Sequence, residues 1–164
     1  MDELSREFAR MLFEVFPEWR GFTREEIYAD GTGSGLVVEV PGPAAADVKH
    51  GLVIEVDDEV TVGFDYYHDH FDPSITYADP SVSDTDTSDD EGRSGVMAAL
   101  DLVKSIVSER IVIVSYFLND EWHGSTSMLA EELPPPRPEY FGNRSYNRIR
   151  VRSWSGALNT DLKA

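Results

Sequence analysis

The stretch Gly51–Phe71, GLVIEVDDEVTVGFDYYHDHF, decides the fold. Leu52, Ile54 and Val56 alternate with Val53, Glu55 and Asp57. After an acidic turn, Val60, Val62, Phe64 and Tyr66 alternate with Thr61, Gly63, Asp65 and Tyr67. A period of two marks a strand, because successive side chains leave a strand on opposite faces. The β-branched and aromatic residues suit such a half-buried, pleated surface. The stretch therefore predicts two strands joined by a tight turn at Asp57-Asp58-Glu59. It also holds the clustered histidines, His68 and His70, and begins the most acidic part of the chain.

On the N-terminal side, Asp2 to about Phe16 reads as an amphipathic helix, with Leu4, Phe8, Met11, Leu12 and Val15 on one face and Pro17 at its end. A first strand is expected around Glu25–Ala29 and a second over Leu36–Val40. Between them lies DGTGSG, Asp30–Gly35, a glycine-rich turn. A phosphate-binding loop needs a following helix whose N-terminus faces the anion, and a strand follows here, so the turn is read as a connection. Ala44–Lys49 is expected to make one short helical turn.

On the C-terminal side, DPSITYADPSVSDTDTSDDEGR predicts a long acidic surface loop over residues 72–91. Its spaced Asp84, Asp86, Asp89 and Asp90 do not fit the frame of a calcium-binding loop. Ser88 and Glu91 have capping-box spacing, so a second helix is expected from there to about Ser108, burying Val96, Leu100, Val103 and Val107. Ile111–Leu118, IVIVSYFL, is the most apolar strand; Asn119-Asp120 turns it back into Glu121–Met128. Residues 130–143 read as a proline-rich linker, Tyr146–Trp154 as the last strand, and Leu158–Ala164 as a frayed end. The order predicts a single α+β domain: one largely antiparallel sheet of about six to seven strands, with two helices packed on one face.

Composition narrows the function. The 164 residues include no cysteine, which removes disulfides, thiolate metal sites and cysteine nucleophiles. The N-terminus lacks the pattern of a secretory signal, and no apolar run has the length of a membrane span, so a cytoplasmic location is the expectation. The net charge of −17 repels nucleic-acid phosphate and anionic membrane surfaces and attracts basic proteins. The charge is uneven: thirteen Asp or Glu and no Lys or Arg lie between His50 and Gly92. Six of the fourteen basic residues fall from Arg137 onward. Solubility alone does not ask for that asymmetry.

Three constellations offer candidate sites. His68 and His70 share a strand face and, with His123, offer imidazoles to a transition metal; a small metal-binding protein or metal-dependent hydrolase is the alternative reading. Arg148, Arg150 and Arg152 alternate with Ile149 and Val151 and so share a face. They are expected to share it with Glu39, Glu55 and Asp65, ringed by Tyr66 or Tyr67, Trp122 and Trp154, in a polar surface that binds a partner. Paired carboxylates of the glycosidase kind need a cleft the sequence does not predict, and no G-x-S-x-G elbow is present.

In size, acidity, α+β layout and lack of cysteine, with GLVIEVDDEVTVGFDYYHDHF and the late NRIRVRSWSG, the chain resembles the immunity proteins of bacterial polymorphic and contact-dependent toxin systems. The resemblance implies a non-enzymatic protein without a cofactor that binds and inhibits a cognate toxin domain, a basic protein partner. It implies that the acidic hairpin and the 72–91 loop face the toxin. Asp57, Asp58, Glu59, Asp65 and Asp69 would supply charge there, and Tyr66, Tyr67 and His68 would anchor.

Overall fold

The computed structural model describes residues 1–28, 31, 33–77, 93–135 and 146–163. Its elements are helices α1 (Glu3–Val15) and α2 (Gly95–Val107), and strands β1 (Thr23–Ile27), β2 (Ser34–Val40), β3 (Leu52–Val56), β4 (Val60–Phe64), β5 (Tyr67–Phe71), β6 (Thr76–Tyr77), β7 (Arg93–Ser94), β8 (Ile111–Leu118), β9 (Glu121–Leu129), β10 (Arg148–Arg152) and β11 (Thr160–Lys163). Short 3-10 turns lie at Pro17–Phe22, Ala44–Ala46 and Ala130–Glu132.

The α+β class is as expected, but the strands form two antiparallel sheets and not one. The first is a five-stranded meander, β1-β2-β3-β4-β5; the second has the order β11-β10-β8-β9; β6 and β7 make a separate pair. Strand alternation reveals faces but carries no information about which strand is whose neighbour, so one sheet and two read alike in the sequence. By contacts between residues the chain forms two compact units: Met1–Glu39, Ile54–Val62 and Asp69–Leu102 in one, Val40–Val53, Gly63–His68 and Val103–Ala164 in the other.

In the first unit α1 starts where the Asp2 carboxylate accepts the Ser5 N–H at 2.6 Å, and Asp2 N–H donates to Ser34 O at 3.0 Å. This N-cap satisfies one of the amides a helix start leaves without a partner. Ser5, Phe8, Ala9, Leu12 and Phe13 are buried, and Ser5 Oγ donates to Val56 O at 3.0 Å, which ties the apolar stripe to β3. The Phe16 and Trp19 rings stack 4.1 Å apart just beyond the helix.

The central stretch folds as three strands where two were expected. Asp65 adopts φ +56°, a left-handed conformation that Asp tolerates better than most residues, and the chain turns there. The alternation read through to Tyr67 therefore breaks after Phe64, and β5 pairs back. Helix α2 begins at Gly95, later than expected, because Arg93 and Ser94 are held extended against Tyr77 and Thr76. Gly95 is needed at that start: a Cβ there would overlap the Asp72 carbonyl. Val96, Ala99, Leu100, Val103 and Ile106 are buried in α2, whereas Val107 is only half-buried. The Ser88–Glu91 capping box, Asp84, Asp86, Asp89 and Asp90, and most of the 72–91 loop lie outside the described residues, as do residues 136–143 of the proline-rich segment.

In the second unit β8 and β9 are joined by Asn119-Asp120, both at positive φ (52° and 65°), the two-residue turn whose twist matches antiparallel strands. Val112, Val114, Ile149 and Val151 form a buried cluster on one face. The C-terminal segment is not frayed over its length: β11 pairs with β10, Arg150 opposite Asp161 and Ile149 opposite Leu162. TDLK is too short and polar to read as a strand by itself; the ladder with β10 and the Asp161 bonds to Arg148 and Arg152 hold it. Among the described residues no helix is long and apolar enough to cross a membrane.

Candidate functional site

The residues singled out in the sequence fall into three places. The first is the turn between β3 and β4. Its geometry is local: Asp57 N–H donates to Glu59 O at 3.1 Å and Asp57 Oδ1 accepts the Glu59 N–H at 3.3 Å. The buried Val56 and Val60 on either side leave Asp57 and Asp58 exposed at the tip. Glu59 reaches His70 on β5, Oε1 to Nδ1 at 2.6 Å, and Thr61 Oγ1 lies 3.0 Å from the same nitrogen. Among the described residues, no ion pair is made by Asp57 or Asp58.

The second place is the turn between β4 and β5. Asp65 was expected on a partner-binding surface, but its side chain is fully buried. Its Oδ1 accepts the Lys49 N–H at 2.7 Å and lies 3.4 Å from Arg150 Nη2; its own N–H donates to His50 O at 3.1 Å. A left-handed turn rotates this carboxylate inward, and the Arg150 charge offsets the cost of burying it. Asp65 Oδ2 is buried and makes no hydrogen bond among the described residues.

Next in the chain, the Tyr66 ring meets Phe117 edge-on at 5.5 Å and stacks on Trp122 at 6.1 Å. Lys49 Nζ stands 4.7 Å and the Arg150 guanidinium 5.8 Å from its centre, within cation–π range. Trp122 remains 45% exposed, and its indole N–H donates to Ser125 Oγ at 3.0 Å. Trp154 is half-buried and tilts against Phe64 at 5.7 Å. Tyr67 is half-buried at the start of β5, where His68 and Asp69 are exposed.

The third place is the arginine face of β10. The three arginines do share a face, but they are largely taken up within the fold. Arg152 is 3% exposed and reaches Asp47 O at 3.0 Å, Asp47 Oδ2 at 2.7 Å, Val151 O at 2.8 Å and Asp161 Oδ2 at 3.1 Å. Arg150 also donates to Asp47 O. Arg148 pairs with Asp120 at 3.4 Å and Asp161 at 3.6 Å. Burial raises the Asp161 carboxyl's pKa, but the hydrogen bond and charge of Arg152, helped by Arg148 and Arg150, bring it below its ordinary value of 3.8. The expected sharing with Glu39 is not found: Glu39 pairs with Arg24 at 3.2 Å. The exposed Glu55 makes no ion pair among the described residues. With two sheets, acids on the first are not automatically beside arginines on the second.

His68 and His70 lie on β5 and His123 on β9, strands of different sheets. Among the described residues no group of three or more His, Cys, Asp or Glu is placed to hold a metal ion.

Sequence reading missed Asp47, Lys49 and Phe117 as neighbours of these groups. Asp47, at φ +47°, is the one acidic residue of PGPAAADVKHG, a segment without alternation, so nothing local marks it as a partner of the arginines. Comparison with protein families finds no matching model, and comparison with curated proteins and with solved structures finds no match.

Proposed function

We propose that this chain is a non-enzymatic acidic binding protein, an immunity protein that inhibits a basic toxin domain. The observation that carries the reading is the β3–β4 turn: Asp57 and Asp58 stand exposed, with no ion pair among the described residues, on a chain of net charge −17. Unneutralised carboxylates on a hairpin tip match a cleft built to hold phosphate, and they speed encounter with it. The half-exposed Tyr66–Trp122 pair, already stacked and flanked by cations, has the composition of an interface anchor. The inhibitor works by occupying the partner's substrate cleft, so it needs no catalytic group of its own.

Capture of the tagged protein from its host lysate, followed by native mass spectrometry, tests the reading. A one-to-one complex with a basic protein is expected, and Asp57→Lys with Asp58→Lys should slow its association about tenfold or more at low salt. Unchanged association and unchanged salt dependence would remove the turn as the binding surface.

A further inference from the structure

A groove of about 330 Å³ runs over the first unit beside this turn, lined by Glu26, Ile27 and Tyr28 of the β1 end, Val37 of β2, and Glu55 and Asp57 of the β3 end. We infer that it receives one lysine or arginine side chain of the basic partner, an inference that rests on the function proposed above.

Four features select that occupant. The surface is partly apolar: Val37 is buried, and Ile27 at the wall is 76% exposed, the most exposed large aliphatic among the described residues. Such a surface suits the methylene stem of a long basic side chain. The Tyr28 ring forms one wall and is locked in place. Gly33 and Gly35 let it lie against the backbone, since a Cβ at Gly35 would come within 3.3 Å of the ring and overlap the Val56 carbonyl. Its hydroxyl donates to Asp2, and that bond, with burial and the charges of Asp2, Asp57 and Asp58, pushes its pKa up to about 12. A neutral, fixed phenol face attracts a cation.

The carboxylates are placed along the groove and not around a point. Glu26 sits opposite Gly35 in the β1–β2 register, while Glu55 and Asp57 come from the β3 side. They form no metal-binding group, so an extended cation fits them better than an ion. Finally, the volume lies at the bottom of the range for ligand pockets, enough for one side chain. Glu26 has Arg24 3.6 Å away, whereas Glu55 is exposed and makes no ion pair among the described residues, which makes Glu55 the main contact for the incoming cation.

The test titrates the full chain, ¹⁵N-labelled and at low salt, with acetyl-Gly-Arg-Gly-amide, its lysine counterpart and a glutamine control. Saturable amide shifts centred on Gly35, Val37 and Glu55 are expected from the two basic peptides and not from the control. Glu55→Gln should weaken them about threefold, and Glu55→Lys should abolish them. Exposed Glu55 tolerates both changes without loss of the fold. Shifts confined to Asp57-Asp58-Glu59, shifts spread over all surface carboxylates, or equal binding by Glu55→Lys would each overturn the groove. Those results leave the acidic turn standing, while unchanged association of the turn variant removes the inhibitor reading whatever the groove binds.

Discussion

Strand β4 is preceded and followed by an acidic turn, and the two use the same side chain in opposite ways. Asp57 and Asp58 point to solvent, where a carboxylate keeps its hydration and its field extends to other molecules. Asp65 turns inward, loses that hydration, and is answered by Arg150 and the Lys49 N–H. The difference comes from the backbone. The first turn closes on its own hydrogen bonds, while the second passes through a left-handed residue that rotates the side chain under the arginine face. An acidic residue in a turn is therefore a solvated charge in one case and a fixed part of the interior in the other.

The sharpest way to break this comparison is Asp65→Ala. It leaves Arg150, which is only 13% exposed, with the Asp47 carbonyl but no carboxylate, and strands the Lys49 amide, so chemical denaturation should register a loss of about 3–4 kcal/mol. Asp65→Asn keeps an acceptor and tolerates positive φ, so its loss should be about half as large. A loss under about 1 kcal/mol for Asp65→Ala would mean that this carboxylate is not committed to the fold.

A step smaller is Arg152→Lys. The ammonium keeps the charge but not the fork that joins the Asp47 carbonyl and carboxylate to Asp161, and a cost of about 2 kcal/mol is expected by the same measurement.

These residues also mark what the sequence could reveal. The alternation of Arg148, Arg150 and Arg152 with Ile149 and Val151 was legible, and so was the common face. The partners were not, because Asp47 and Asp65 lie 105 and 85 positions from the arginines they meet. Helix α1 was legible to within a residue or so, since its apolar spacing and its proline stop are both local. The split into two sheets depends on which strands pair, a long-range choice that periodicity does not encode. The acidic turn at 57–59 was legible as a turn; the groove beside it was not, because Tyr28 and Glu55 meet there only through β2.

Acid sharpens the comparison further. Asp161 has its folded pKa below 3.8, so the unfolded chain takes up a proton first as pH falls. Its contribution is present above the ordinary carboxylate range and disappears as pH drops through the folded value. Asp161→Asn should flatten the acid limb of the stability curve by under about 1 kcal/mol, since the side chain is partly solvated.

The smallest stability effect belongs to the outward turn. Asp57→Asn with Asp58→Asn should move the denaturation midpoint by no more than about 0.5 kcal/mol equivalent, toward greater stability, because like charges are removed and no ion pair among the described residues is lost. A clear destabilisation would show that the outward carboxylates also hold the hairpin.

The three tryptophans are graded in a useful way: Trp19 is 5% exposed, Trp154 half-buried, and Trp122 open at 45%. Iodide or acrylamide will therefore quench Trp122 emission strongly and Trp19 emission hardly at all. A binder that covers the Tyr66–Trp122 shelf should shield that quenchable fraction and shift its emission to the blue, whereas one seated only on the acidic turn should leave the quenching curve unchanged. The molecule thus carries an intrinsic optical reporter of which of its surfaces has been occupied.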